Sequence, residues 1–95
     1  MGSSEHKTLE ITVRGRVQGV GFRYTCRNVA RELGVKGWVS NRFDRSVFVV
    51  ASATDDVLDQ FLDWLKKGPP GAQVESVESN ESDEMETPSD NFEIR

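Results

Sequence analysis

The chain has little of the chemistry from which metal sites and covalent active sites are usually built. Its 95 residues contain one cysteine, Cys26, and one histidine, His6. A lone cysteine excludes a disulfide within the chain, and we expect neither a metal site nor a cofactor. No apolar run approaches the roughly 20 residues that span a bilayer, and no signal-peptide pattern opens the sequence. We therefore expect no membrane partner and a cytoplasmic location.

Acidic residues are missing from one stretch of an otherwise acidic chain. The formal net charge is −4, yet segment 14–31 holds five arginines and no aspartate or glutamate. Residues 32–95 carry a net charge of −8. A nucleic-acid-binding domain is more often basic throughout, so we expect no nucleic-acid partner. The basic segment instead indicates a local site for a small anion.

Hydrophobic patterning predicts a single domain over residues 8–95, preceded by a flexible tail at residues 1–7. The run TLEITVRG alternates apolar and polar residues, which is the period of a half-buried strand. Two further β-rich runs, KGWVSN and SVFVVASA, flank the turn-forming residues NRFDR and predict a hairpin. The sequence therefore predicts three strands in its first half.

Two helices are predicted from apolar residues at helical spacing. The first begins at Phe22 and ends at Gly34, a natural left-handed cap. The second begins after Thr54, which can cap it, and is stopped at Gly68 by the following prolines. The order β-α-β-β-α-β predicts an α+β sandwich of ferredoxin-like type, with two helices on one face of a four- to five-stranded, mostly antiparallel sheet.

The end of the chain has a weaker pattern. Val74 and Val77 suggest a fourth strand, although they do not keep a strict period of two. Segment 78–91 is acidic and is interpreted as a sheet edge or a loop, and NFEIR offers a short last strand. We interpret Trp38 and Trp64 as core residues.

A glycine-rich run, GRVQGVGFR, connects the first strand to the first helix. Such a loop gathers backbone N–H groups at the positive end of the helix, which favours an anion. Glycine lets the backbone approach a ligand closely, and the guanidinium of Arg23 adds a planar fork of donors. By residue type alone, a purely structural connector fits equally well. The predicted phosphate-binding loop consists of Arg16, Val17, Gln18, Gly19, Val20, Gly21 and Phe22.

The motifs GRVQGVGFR, GWVSN and WLKKGPPGAQV resemble the acylphosphatase family in content, order and spacing, from Thr8 to the end of the chain. The resemblance implies the ferredoxin-like fold and metal-independent hydrolysis of the carboxyl–phosphate bond of acyl phosphates. Inorganic phosphate is then the product and an expected inhibitor. The resemblance also implies that Arg23 is the catalytic arginine, and that Asn41 is the catalytic asparagine and positions the attacking water.

This chain departs from the family pattern at two places. Arg45 stands where the family commonly has glycine, and ASATDD lacks the usual glycine before the second helix. The first departure brings the geometry of the turn beside Asn41 into question.

An acyl phosphate has a carboxylate leaving group that needs no general acid, so the shortage of catalytic acids agrees with the implied reaction.

Other interpretations remain open at this point. A sequence like VQGVGFR also occurs in the amino-terminal domain of hydrogenase-maturation carbamoyltransferases, which suggests a non-catalytic module that binds acyl or carbamoyl phosphate. Tyr24 stands where that group typically has proline, which favours the small hydrolase, and we expect a monomer. An RNA-recognition module would need aromatic residues on its central strands, and TLEITVRG has none.

We interpret Cys26 as a core residue rather than a nucleophile, and Arg27 and Arg31 as a solvated stripe.

Overall fold

Five strands and two helices follow one another in the predicted order. The computed structural model describes residues 6–82 and 91–95. Parts of the predicted tail, residues 1–5, and of the predicted acidic segment, residues 83–90, therefore lie outside the described residues. The elements are β1 (Lys7–Arg16), α1 (Phe22–Leu33), β2 (Lys36–Asn41), β3 (Val47–Ala53), α2 (Asp55–Lys67), β4 (Gln73–Glu81) and β5 (Phe92–Ile94).

The strands form one sheet in the order β4-β1-β3-β2-β5. All neighbouring strands are antiparallel except β2 and β5, which run parallel. Both helices pack on one face of this sheet, so the predicted ferredoxin-like α+β sandwich is confirmed. In the described part of the chain, neither helix combines the length and apolarity that a membrane crossing requires.

The core lies between the sheet and the helices. Ile11 of β1 pairs with Val49 of β3, which pairs with Val39 of β2, and all three side chains are fully buried on the helical face. Each helix contributes apolar residues three or four positions apart, the spacing of a helix that packs one face on a sheet. The buried helical residues are Phe22, Cys26, Ala30, Leu58, Phe61 and Leu65.

The two tryptophans lie on different faces of the sheet. Trp64 packs against the core, with its ring centroid 5.5 Å from that of Phe22. Trp38 instead contacts Phe48, at 5.5 Å between centroids, and lies outside the core. Its neighbour Val39 points toward the helices, and adjacent residues of a strand point to opposite faces. The interpretation of Trp38 as a core residue is therefore wrong.

A β-bulge explains why the valines of β4 break the strand period. Arg14 of β1 pairs with Ser76, whereas the next residue, Gly15, pairs with Val74, which leaves Glu75 as an extra residue in β4. An inserted residue shifts the alternation of side chains by one position. Val74 and Val77 consequently both pack against the core.

Candidate active site

The loop between β1 and α1 takes its shape from two glycines. Gly19 and Gly21 have φ angles of 78° and 75°, in the left-handed region that glycine adopts without strain. A Cβ on either residue would meet no atom within 4 Å, so the backbone conformation rather than crowding requires glycine. These two residues curl the loop back toward the first turn of α1.

The amino terminus of α1 presents unpaired backbone donors. The first hydrogen bond of the helix runs from the amide of Thr25 to the carbonyl of Gly21, at 3.0 Å. The preceding amides have no partner within the helix. The first turn contains no acidic residue, whereas that of α2 contains Asp55 and Asp56. In the described structure, the first turn of α1 therefore contributes no carboxylate that would neutralise the positive end of the helix.

One cavity brings together most of the predicted site. Its volume is about 170 Å³, and the loop, the first turn of α1 and the ends of β2 and β5 contribute to its wall. Arg23 and Asn41, which are 18 positions apart in the sequence, both line it. The lining residues are Val17, Gln18, Gly19, Gly21, Phe22, Arg23, Tyr24, Asn41 and Ile94.

Two residues of the predicted loop do not line this cavity. Arg16 is exposed and lines a neighbouring cavity together with Arg45. Val20 is half-buried and packs against the core. Tyr24 and Ile94, in contrast, were not among the predicted site residues. Ile94 comes into the cavity through the pairing of β5 with β2, and no local sequence signal indicates that contact.

Gln18 connects the loop to the turn between β2 and β3. Its Nε2 atom donates hydrogen bonds to the carbonyl oxygens of Arg42 and Ser46, each at 2.9 Å. Both donors of one amide group are thus used on a single turn. Because Asn41 immediately precedes that turn, Gln18 fixes the position of Asn41 relative to the loop.

Arg45 adopts the backbone conformation that a glycine would adopt easily. It is the non-glycine residue with a positive φ angle, 75°, in the described part of the chain. Its amide donates to the carbonyl of Arg42 at 3.1 Å, and the amide of Arg42 donates to the carbonyl of Ser46 at 2.9 Å. The turn is therefore closed as a hydrogen-bonded hairpin despite the missing glycine.

Asp44 stabilises the same turn. Its Oδ1 atom accepts hydrogen bonds from the amide of Ser46, at 3.0 Å, and from the hydroxyl of Ser46, at 2.6 Å. Its Oδ2 atom accepts a hydrogen bond from Arg14 at 3.1 Å. These contacts, those with Ser46 foremost, lower the pKa of Asp44 from 3.8 to about 2. The carboxylate is therefore charged throughout the physiological range.

Cys26 faces the core, not the cavity. Its side chain is fully buried, and burial raises the pKa of the thiol above its ordinary value of 9.0. A buried neutral thiol is a poor nucleophile, which agrees with its interpretation as a core residue. Among the described residues, no group of three histidine, cysteine, aspartate or glutamate side chains is placed to hold a metal ion.

The arginines that follow Arg23 on α1 have structural partners. The guanidinium of Arg27 lies over the ring of Tyr24, 4.8 Å from its centroid. The Nε atom of Arg31 donates to the carbonyl of Phe92 at 3.2 Å, which ties α1 to β5. Arg31 is nevertheless exposed, as predicted for a solvated residue, whereas Arg27 is half-buried and contacts Tyr24 of the cavity wall.

Comparison with known proteins agrees with this architecture. The acylphosphatase family model matches residues 9–94. An acylphosphatase of Archaeoglobus fulgidus is 56% identical over 70 residues, which is 74% of this chain and 79% of the relative. The solved structure of an acylphosphatase from Coxiella burnetii superimposes with a TM-score of 0.90 at 36% identity and covers all of both chains.

The carbamoyltransferase alternative receives less support from these comparisons. Full-length HypF, crystallised in a phosphate- and nucleotide-bound form, superimposes with a TM-score of 0.82, but the sequence identity is 23% and the match covers 12% of that chain. At this identity the likeness shows the fold alone. The small enzymes match over most of their own length and at much higher identity, and the chain accordingly belongs to the acylphosphatase family.

Proposed function

We propose that this chain hydrolyses the carboxyl–phosphate bond of acyl phosphates to a carboxylate and inorganic phosphate, without a metal ion. The observation that carries the proposal is the cavity in which Arg23, Asn41 and the amino terminus of α1 meet. The membership of the chain in the acylphosphatase family supports the same reaction.

The loop and Arg23 hold the phosphoryl group. The unpaired amides at the start of α1 bind phosphoryl oxygens with the favourable helix dipole behind them. The guanidinium of Arg23 contacts two further oxygens through its planar fork of donors. Phosphoryl transfer mainly requires positioning and charge stabilisation, and these groups supply both.

Asn41 positions the attacking water. Its side-chain oxygen accepts a hydrogen bond from the water, so that the water's lone pair points at phosphorus on the side opposite the carboxylate. The bond between phosphorus and the carboxylate oxygen breaks as the water oxygen bonds to phosphorus, and a phosphoryl oxygen takes the water's proton. The leaving carboxylate is stable as an anion near neutral pH, and the reaction needs no protonated side chain.

Three finer properties belong to the same proposal. Inorganic phosphate, the product, binds to the loop and inhibits hydrolysis in competition with the acyl phosphate. The chain acts as a monomer. It works in the cytoplasm. Size-exclusion chromatography with light scattering tests the monomer: a mass of about 11 kDa is expected from the 10.7 kDa chain.

The test of the reaction is hydrolysis of acetyl phosphate in the presence of EDTA. Arg23→Ala should lose both phosphate affinity, measured by calorimetry, and turnover, because the guanidinium contacts the ground state and the transition state alike. Asn41→Ala should bind phosphate normally and lose most of kcat. Lys66→Ala and Asn28→Ala are the controls, since both residues are exposed and neither lines the cavity.

Two results would contradict the proposal. Strict dependence of turnover on an added divalent metal would exclude the metal-free mechanism. Tight binding of phosphate or carbamoyl phosphate without hydrolysis would instead favour the binding module. If Asn41→Ala retained the wild-type kcat, the reaction could stand but the role of Asn41 would be wrong.

A further inference from the structure

We propose that Arg16 and Arg45 form a second anion site, which binds a phosphate group either as the free ion or on a small monoester. The site lies outside the cavity that contains Arg23 and Asn41. A phosphate group bound there takes no part in the proposed hydrolysis, so the second site goes beyond that function.

A separate cavity of about 330 Å³ lies between the end of β1, the loop and the turn after β2. We name it the Arg45 cavity, and we name the cavity of about 170 Å³ described above the Arg23 cavity. The two cavities share Val17 and Gln18 but no charged residue. The Arg45 cavity is lined by Gly15, Arg16, Val17, Gln18 and Arg45.

Both charged side chains of the Arg45 cavity lack a partner. Arg14, close by, is paired with Asp44 at 3.1 Å. In the part of the chain that the structure describes, the side chains of Arg16 and Arg45 form no ion pair, hydrogen bond or aromatic contact. Arg45 also lines an adjoining cavity with Asp44 and Glu75, yet it forms no ion pair with either carboxylate. Two unpaired positive groups in one cavity attract an anion.

The backbone fixes the two segments from which these side chains extend. Arg45 has a φ angle of 75°, and its amide donates to the carbonyl of Arg42 at 3.1 Å. A left-handed φ is unfavourable for a residue with a side chain, and it persists only where the surrounding structure imposes it. Gln18 bonds the same turn to the loop that begins at Arg16. Because both segments are already fixed relative to each other, a ligand between the two guanidiniums has little backbone left to order.

The two guanidiniums favour phosphate over a carboxylate. Each guanidinium presents a planar fork of donors that matches a pair of phosphate oxygens. A phosphate ion or monoester has at least three free oxygens and can accept from both forks, whereas a carboxylate has only two oxygens. The Arg23 cavity adds the amides of α1 to its guanidinium, so the Arg45 cavity should be the weaker of two phosphate sites.

The experiment measures anion binding by calorimetry in the Arg23→Ala background, which removes the tighter site. We expect this variant to retain one weak site for inorganic phosphate, and Arg23→Ala/Arg45→Gly to bind about tenfold more weakly, as for the loss of one charge-assisted hydrogen bond. The second substitution should not impair folding, because glycine adopts a left-handed φ without strain.

Arg23→Ala/Arg42→Ala is the matched control. It removes the same charge from the same turn, but the guanidinium of Arg42 lies over the ring of Phe48, 3.8 Å from its centroid, and Arg42 does not line the Arg45 cavity. Its phosphate affinity should stay within about twofold of that of Arg23→Ala, since a distant exposed charge contributes little. An equal loss in both double variants would mean that net charge alone attracts the anion, and would overturn the site.

Two further anions identify the ligand class. Binding of glycerol 3-phosphate with similar affinity would support a site for phosphate monoesters, and binding of inorganic phosphate alone would support a site for the free ion. Acetate binding as tight as phosphate binding would contradict recognition by both guanidiniums.

A measurement on the intact site does not depend on the folding of Arg23→Ala. At saturation, the wild type should bind two phosphate ions per chain, and Arg45→Gly should bind one. Amide NMR shifts should change at residues 15–17 and 45 during the weaker binding event in the wild type. A single phosphate per wild-type chain, or shifts confined to residues of the Arg23 cavity, would overturn the second site.

Discussion

Replacing Gln18 with methionine removes two hydrogen bonds while it nearly preserves the shape of the side chain. The Nε2 atom donates to the carbonyls of Arg42 and Ser46, each at 2.9 Å. A typical intramolecular hydrogen bond contributes about 1 kcal/mol of net stability, so the variant should lose about 1–2 kcal/mol. For a domain of this size, that corresponds to a decrease in Tm of roughly 5–15 °C.

The same substitution should lower kcat through Asn41. Without the amide, the turn moves relative to the loop, and a displacement of about 1 Å in a reacting group can cost up to about 100-fold in rate. Phosphate affinity should change little, because the amides of α1 and the guanidinium of Arg23 remain. Gln18→Glu should be at least as harmful, since its carboxylate places acceptors against two carbonyl oxygens.

A double-mutant cycle decides whether Gln18 acts by positioning. If Gln18→Met acts through Asn41, it should lower kcat in the wild-type background but have little further effect in the Asn41→Ala background. The assay is steady-state hydrolysis of acetyl phosphate, with thermal denaturation followed by circular dichroism on the same samples. An equal loss of kcat in both backgrounds would show that Gln18 acts independently of Asn41, which would refute the positioning role. An unchanged Tm would refute the stabilising role of its two hydrogen bonds.

The remaining predictions concern the turn and the core. Arg45→Gly should raise stability by about 0.5–1 kcal/mol in urea denaturation, because relief of a left-handed φ outweighs the entropy of glycine; Arg45→Ala, which keeps the strain, should not. Asp44 is stabilising when ionised, since its pKa is lowered from 3.8 to about 2. The Tm of the wild type should thus exceed that of Asp44→Asn by a constant amount above pH 4, and this difference should decrease as the pH falls toward 2. A Tm difference that does not change with pH would contradict this role of Asp44. Cys26→Ala should keep kcat and lose about 1 kcal/mol, and rapid labelling of the folded thiol by an aromatic disulfide would contradict its burial.

The parts of the fold set by local sequence were predictable. Gly34 ends α1 in the left-handed conformation, with a φ angle of 81°, and Thr54 and Gly68 flank α2 as predicted, although Thr54 makes no side-chain capping hydrogen bond. Each of these features depends on a few neighbouring residues. The family resemblance, not the spacing of residues, placed Asn41 with Arg23 in the predicted site, and both residues line one cavity.

The features that were missed depend on contacts between distant segments. The bulge at Glu75 arises from the pairing of β4 with β1, so no periodicity within β4 could reveal it. The partners of Gln18 are 24 and 28 positions away. Trp38 lies on the face opposite the core because of the register of β2 with β3. Composition identifies a tryptophan as a large apolar residue, but the register decides the face on which it lies.

The predicted phosphate-binding loop and the end of β1 that leads into it are held at three points, each by a different physical constraint. In β1, just before the loop, a Cβ on Gly15 would overlap the carbonyl oxygen of Gln73, so only glycine lets β1 approach β4 at the bulge. In its middle, Gln18 is bonded to the turn that follows Asn41. At its end, Gly21 caps α1 in a left-handed conformation that begins the helix just before Arg23. These constraints act on three different segments, and together they keep Arg23 and Asn41 on one cavity. It also follows that Gly15, which does not line that cavity, should be at least as intolerant of a side chain as Gly19 and Gly21, which do.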